Sequence, residues 1–218
     1  MDYSCGFVHE SIADIVEEQL VEQLLSEPLW GYEFFHLAGM PEIRMKNRQR
    51  VPLNTALGGI FKGDVDVLLC DPDRPDQAVA YQVKRIKCGI SQLRRGAPSK
   101  LREYNKLAQQ ANLLAQMGFW QVYAYAVVVV DTREQNSGKL TYAGLSSKLK
   151  GLVDSAISPD VLNERVGLAL LDFTQPMDHK PFTVGTHGFT LRRLSIPAPQ
   201  NQDLTKWVAE VFSRPQQA

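Results

Sequence analysis

The sequence predicts an α/β fold in which a central mixed β-sheet is flanked by helices. Three observations lead to this prediction. The first is an amphipathic periodicity in residues 11–26. The second is a pair of segments, 63–70 and 78–86, that read as two strands joined by a turn. The third is the almost wholly apolar segment 119–130, which predicts a strand covered on both faces.

The first part of the chain is predicted to follow the order helix, strand, strand, strand, helix, strand. In residues 11–26, apolar side chains recur at three- and four-residue steps, which is typical of a helix. Residues 31–38 are short and rich in aromatic side chains, so we predict a strand there. The basic stretch 44–50 has no clear periodicity and predicts a loop. Strands 63–70 and 78–86 are joined by a turn rich in Pro and Asp.

The second part of the chain begins with a predicted helix at 100–117, which Gly118 ends, and the apolar strand 119–130. After a loop at 132–138 the pattern weakens, but we predict a helix at 145–157, a strand at 166–173 and a helix at 203–212. We place a boundary in that loop. Residues 1–138 would form the core, and residues 139–218 a C-terminal α/β elaboration packed on the same domain.

Composition excludes several classes of protein. With 218 residues, 44% hydrophobic and 22% charged, the chain is neither disordered, collagen-like nor a coiled coil. It has no apolar run of the roughly 18–20 residues that a membrane-spanning helix needs, and residues 1–10 do not resemble a signal peptide. We therefore expect a cytoplasmic protein. The three cysteines have no metal-binding spacing, so we expect reduced, partly buried thiols.

Charge is balanced overall but unevenly distributed. The chain has 24 basic and 24 acidic residues. Residues 1–43 contain nine acids and no Lys or Arg, whereas residues 84–106 contain eight basic residues and a single acid, Glu103. Such a chain can hold a cation and a polyanion at neighbouring places. The alternative is two solvated faces of opposite sign.

Four polar residues in the two adjacent strands indicate a site. Asp64 and Asp66 share one face of the first strand, and Gln82 and Lys84 share one face of the second. If these faces coincide, carboxylate and amide oxygens that suit Mg²⁺ or Mn²⁺ lie beside a lysine. That lysine can position a water molecule or stabilise charge on a phosphorane. The alternative is that both acids end a surface strand and Lys84 extends from an edge.

The same residues carry a family resemblance. The segment GDVDV at 63–67, followed by YQVKR at 81–85, resembles the catalytic core of the PD-(D/E)xK nuclease superfamily, which has the restriction-endonuclease-like fold. Gln82 in place of the usual Glu is similar to the QxK variant of Mrr-like restriction endonucleases. The resemblance covers roughly residues 11–130. It implies a divalent-metal-dependent endonuclease or exonuclease that hydrolyses phosphodiester bonds.

The resemblance also implies roles for the strand residues. Asp66 would be the metal-binding acid, with Asp64 as the alternative. Gln82 would bind or orient the metal, Mg²⁺ or Mn²⁺, and the backbone carbonyl of Val83 could add a ligand. Lys84 would act on the attacking water or on the scissile phosphate.

Members of this superfamily often add a glutamate from the first helix. On a helical wheel, Glu17 falls inside the apolar arc between Leu24 and Val21, whereas Glu18 and Glu22 fall on the polar side. Glu17 is therefore the predicted fourth residue and a further metal ligand. Glu10, on the same face closer to the N-terminus, is the alternative.

The expected partner is nucleic acid, with DNA preferred. The residues predicted to contact phosphates are basic and fall in two segments: Arg48, Arg50, Arg85, Lys87, Arg94, Arg95, Lys100 and Arg102. Two other functions remain open, a non-catalytic binding or assembly subunit with this fold and an RNA-processing nuclease. A homodimer or a complex with a partner protein is also open.

Overall fold

The computed structural model describes residues 16–26, 28–39, 44–53, 62–89, 91–92, 95, 103–131, 147–175 and 187–215. The helices in these segments are α1 (Glu17–Ser26), α2 (Pro28–Leu37), α3 (Glu103–Met117), α4 (Ser147–Ala156) and α5 (Gln202–Ser213). The strands are β1 (Lys46–Pro52), β2 (Asp64–Cys70), β3 (Val79–Gly89), β4 (Gln121–Asp131), β5 (Val166–Gln175) and β6 (His187–Arg193).

The described strands form one six-stranded sheet in the order β1-β2-β3-β4-β5-β6. β1, β2 and β3 are antiparallel neighbours, β3, β4 and β5 are parallel, and β6 returns antiparallel to β5. The two parallel connections run through α3 and α4, as parallel strands require. The structure therefore confirms the predicted α/β class with a mixed sheet flanked by helices.

Helices cover both faces of the sheet. One face packs against α3, α4 and α5, and its core includes Leu107, Val153 and Trp207. The other face packs against α1 and α2 and includes Leu20 and Phe34. The middle strand β4 contributes to both cores, with Val122–Val129 at most 2% exposed. Its apolar sequence is thus explained by burial on two sides.

The predicted strand at 31–38 is wrong, because this segment belongs to helix α2. The buried residues Phe34, Leu37 and Ala38 recur at helical spacing and face the sheet. The last carbonyls of a helix lack partners within the helix. Here the Tyr123 hydroxyl donates to the Leu37 carbonyl (2.9 Å). The Tyr81 hydroxyl donates to the Phe34 carbonyl (2.6 Å), which also accepts the backbone N–H of Ala38 (3.2 Å).

The predicted loop at 44–50 is also wrong, since most of it forms strand β1. Its pairing with β2 runs from Lys46–Cys70 to Pro52–Asp64. β1 is an edge strand whose side chains are mostly solvent-accessible, so its polar sequence shows no core-facing alternation. The segment is a strand because it pairs with β2, and this pairing cannot be read from the sequence of the segment alone.

The C-terminal segment extends the same sheet. β5 lies between β4 and β6, and Leu168 and Leu170 are fully buried there. The predicted boundary at residue 138 falls outside the described residues and stays a prediction. None of the described helices combines the length and the apolar character of a membrane-spanning segment. Cys70 and Cys88 are free, buried thiols, and Cys5 lies outside the described residues.

Candidate active site

The candidate site lies where strands β2 and β3 stop pairing with each other. The described pairing of β2 with β3 ends at Val67–Tyr81, although β2 begins at Asp64 and β3 continues to Gly89. Beyond that pair the two strands separate, and the edge of β3 loses its backbone partner. Two carboxylates replace the missing strand, one from β2 and one from α1.

Asp66 occupies the point where the strands part. Its Oδ2 accepts a hydrogen bond from the backbone N–H of Val83 (2.7 Å) and another from Nε2 of Gln82 (2.5 Å). Gln82 is only 4% exposed, so its amide is held by the protein interior. This arrangement fixes one carboxylate oxygen of Asp66. The other oxygen, Oδ1, makes no hydrogen bond within the described residues.

Glu17 occupies the next position along the β3 edge. Its Oε2 accepts a hydrogen bond from the backbone N–H of Arg85 (2.8 Å), and its Oε1 pairs with Nζ of Lys84 (3.0 Å). Glu17 is the first residue of α1, which packs on the face opposite α3. The split therefore lets a helix on one face of the sheet reach a lysine that points toward the other.

These groups line a single cleft of about 140 Å³, which has room for several water molecules. The residues predicted from sequence that the structure brings together there are Glu17, Arg50, Asp64, Asp66, Gln82 and Lys84. Glu10, the alternative to Glu17, lies outside the described residues. The chemical roles assigned to these residues stay predictions.

The wall of the cleft contains residues that the sequence did not indicate. Gln49 of β1, Gln110 of α3 and Val21 of α1 complete the lining. Gln49 lies in a segment predicted to be a loop, and Gln110 is one of several exposed polar residues of an amphipathic helix. Neither carries a periodicity or spacing signal, so the sequence offered no means of finding them.

The pKa of Asp66 is shifted by its burial and by its charged neighbours. Burial raises the pKa of its carboxyl to about 7. The hydrogen bond from Val83 lowers this pKa, the neighbouring carboxylates Asp64 and Glu17 raise it, and the Lys84 ammonium lowers it. A cation in the cleft would oppose the unfavourable contributions. Within the described segments, however, no group of three or more His, Cys, Asp or Glu residues is arranged to hold a metal ion by itself.

Among the described residues, those predicted to contact phosphates do not form one patch. The Arg48 guanidinium donates to the carbonyl of Arg214 (2.7 Å) and lies over the Phe212 ring, so it ties β1 to α5. Arg85 and Lys87 are half-buried and alternate in β3 with Lys84, which places them on the opposite face. Arg95 is exposed. Arg94, Lys100 and Arg102 lie outside the described residues.

Fold and site together define an α/β protein with a carboxylate-lined cleft at a split in a mixed sheet.

No protein-family model and no curated protein matches the chain. Among solved structures, SfsA from Pyrococcus furiosus, in complex with Ca²⁺, is similar with a TM-score of 0.25 and 13% identity. The similarity covers 78% of this chain and 64% of SfsA.

Proposed function

We propose that the protein is a divalent-metal-dependent nuclease that hydrolyses phosphodiester bonds, with DNA as the preferred substrate. The observation that supports this function most is the meeting of Asp66, Glu17 and Lys84 in the split between β2 and β3. Two acids and a lysine at one opening suit the hydrolysis of a phosphodiester, because the reaction needs a held water and stabilisation of negative charge. The resemblance of GDVDV and YQVKR to the PD-(D/E)xK superfamily agrees with it.

The donor set fits Mg²⁺ or Mn²⁺. Asp66 and Glu17 would hold the ion with the Val83 carbonyl, which lies on the same strand edge as the Val83 N–H that faces Asp66. Two carboxylates with a backbone carbonyl are enough, because Mg²⁺ usually keeps several waters and binds substrate phosphate as well. When bound, the ion would polarise the phosphate and lower the pKa of a coordinated water.

Gln82 and Lys84 have different tasks in this proposal. Gln82 holds Asp66 through its amide and keeps the carboxylate turned toward the cleft. Lys84 gives one N–H to Glu17, which leaves two for the attacking water or a phosphate oxygen. In the reaction, a water oxygen bonds to phosphorus, the bond to one ester oxygen breaks, and the released proton ends on the leaving alkoxide.

The test is cleavage of plasmid, linear duplex, single-stranded DNA and RNA in Mg²⁺ and Mn²⁺, with wild-type protein and Lys84→Ala. Lys84→Ala should lower the cleavage rate by about 100-fold or more, because a lysine that meets developing charge acts mainly in the transition state. Binding should change far less, since affinity is shared among many phosphate contacts.

The matched control is Lys106→Ala, which removes the same charge from an exposed ion pair with Glu103 on α3. This variant should cut at the wild-type rate. Thermal melting of both variants shows whether either has lost its fold. Cleavage by Lys84→Ala at the wild-type rate would remove Lys84 from the mechanism, and preferential cleavage of RNA would change the substrate to RNA.

A second candidate is a non-catalytic binding or assembly subunit with the same architecture. One observation favours it: both Asp66 and Glu17 accept backbone N–H groups of β3, which is a sufficient structural reason for two acids at a broken sheet edge. Wild-type protein that binds nucleic acid in Mn²⁺ but cuts none of the four substrates would support this candidate over the nuclease.

A further inference from the structure

Arg50 has an unusual backbone. Its φ is 51°, and it is the single described non-glycine residue with a positive φ. The left-handed region costs an ordinary residue free energy, because Cβ approaches the backbone carbonyl. Such outliers persist where the surrounding structure imposes them, and they cluster at binding and catalytic sites.

The position of Arg50 in the sheet is equally specific. It lies between the β1–β2 pairs Gln49–Val67 and Val51–Val65, which places it beside Asp66. Both Gln49 and Arg50 line the cleft, although successive residues of a regular strand point to opposite faces. The local break in β1 therefore brings an additional residue to the cleft wall.

Within the part of the chain that the structure describes, the Arg50 guanidinium has no polar partner. Arg50 lines a cleft with three carboxylates, yet no ion pair or hydrogen bond joins its guanidinium to any described residue. An arginine whose task was to neutralise these acids would pair with one of them. Arg48, two residues earlier, shows the contrast, because its guanidinium donates to the Arg214 carbonyl and stacks on Phe212.

We propose that Arg50 is a substrate-binding residue that takes a backbone phosphate of the nucleic acid at the mouth of the acidic cleft. Its planar guanidinium can hold two phosphate oxygens at once. The strained backbone of β1 directs it to the cleft, where it counters the repulsion between the phosphate and the carboxylates. This assignment rests on the proposed nuclease function. It singles out Arg50, from the basic residues predicted to contact phosphates, as the one that positions the substrate at the cleft.

The test compares Arg50→Gln, Arg50→Gly and Lys46→Gln. Lys46 is exposed at the start of β1, so its substitution removes the same charge from the same strand. Binding of a short mixed-sequence DNA duplex is measured in Ca²⁺ at fixed salt, and cleavage is measured in Mn²⁺. Both Arg50 variants should bind about 10-fold or more weakly, as expected for a lost charge-assisted contact. Lys46→Gln should stay within about threefold of wild type.

The melting temperatures of the variants provide a second, independent test of the assignment. Arg50→Gly relieves the strained φ and should melt at least as high as wild type and about 2–4 °C above Arg50→Gln. A residue that served the fold alone would show the opposite combination, with stability lost and DNA binding kept. That combination, or a loss for Lys46→Gln as large as for Arg50→Gln, would overturn the assignment.

The same experiment separates this inference from the proposed function. If wild-type protein binds the duplex but cuts nothing, the nuclease proposal fails, while weak binding by the Arg50 variants still supports a phosphate contact. If Arg50→Gln causes self-association without weakening DNA binding, Arg50 protects the β1 edge and the inference is wrong. Wild-type protein that binds no duplex would overturn the assignment of Arg50, whereas the cleavage assay with the four substrates decides the nuclease proposal.

Discussion

Asp66 is a half-buried carboxyl beside two other carboxylates, and this predicts how stability depends on pH. The unfolded value of its pKa is 3.8, and the folded value is about 7. Between these values the native state binds more protons than the unfolded state, so Asp66 lowers stability progressively as the pH rises through this range. Asp66→Asn cannot ionise and should lack this dependence.

Urea unfolding in EDTA from about pH 5 to about pH 8 measures the effect. The free energy of unfolding of wild type relative to Asp66→Asn should fall by on the order of 2–4 kcal/mol. Mn²⁺ should restore wild-type stability at the upper end of the range and leave Asp66→Asn almost unchanged. Parallel pH profiles for the two proteins in EDTA would contradict the raised pKa.

At the scale of elements, two helical glycines predict opposite effects of the same substitution. A Cβ on Gly31 of α2 would lie 2.9 Å from the Leu25 carbonyl oxygen of α1. This distance is shorter than a van der Waals contact, so the backbone of α1 or α2 would have to shift. A Cβ on Gly151 of α4 would meet nothing within 4 Å. α1 and α2 therefore pack through Gly31, whereas α4 has no such need at Gly151.

Gly31→Ala should destabilise the protein by about 1–2 kcal/mol, because the clash outweighs the better helix propensity of Ala. Gly151→Ala should stabilise it by up to about 1 kcal/mol. Chemical denaturation of both variants tests the pair. A gain in stability for Gly31→Ala would show that α1 and α2 separate easily. Since α1 carries Glu17, such a result would also weaken the case for a fixed acidic site.

At the scale of the whole molecule, the sheet predicts that residues 1–138 do not fold alone. β5 covers one edge of β4, and Gly167 of β5 lets the Tyr123 ring pack where any Cβ would collide with it. Removing residues 139–218 would expose this edge of β4 and the part of the sheet face that α4 and α5 cover. A fragment ending at residue 138 should lack a cooperative thermal transition. Thermal melting followed by circular dichroism, with the full chain as control, measures this. A cooperative fragment would support an independent core.

Much of the architecture followed from local pattern. The strand patterns of 63–70 and 78–86, the continuous apolarity of 119–130 and the helical spacing of 100–117 are properties of single segments. Each segment contains the type of element that its pattern predicts. Strand parity predicted that Asp64 and Asp66 share a face and that Gln82 and Lys84 share a face. The resemblance to the PD-(D/E)xK superfamily selected Asp66 and a glutamate of the first helix, and the helical wheel selected Glu17 among the glutamates.

Tertiary structure decided what local pattern left ambiguous. Residues 31–38 are apolar enough for a strand or a helix, and packing on the sheet with Tyr81 and Tyr123 at the carbonyl end selects the helix. Residues 46–52 become a strand because β2 offers an edge to pair with. The split after Val67–Tyr81, the reach of Glu17 to β3 and the left-handed turn at Arg50 also depend on neighbours distant in sequence. The periodicity of apolar residues indicates which side of a helix or strand is buried. Backbone pairing and the shape of a cleft depend instead on which other elements each helix or strand contacts.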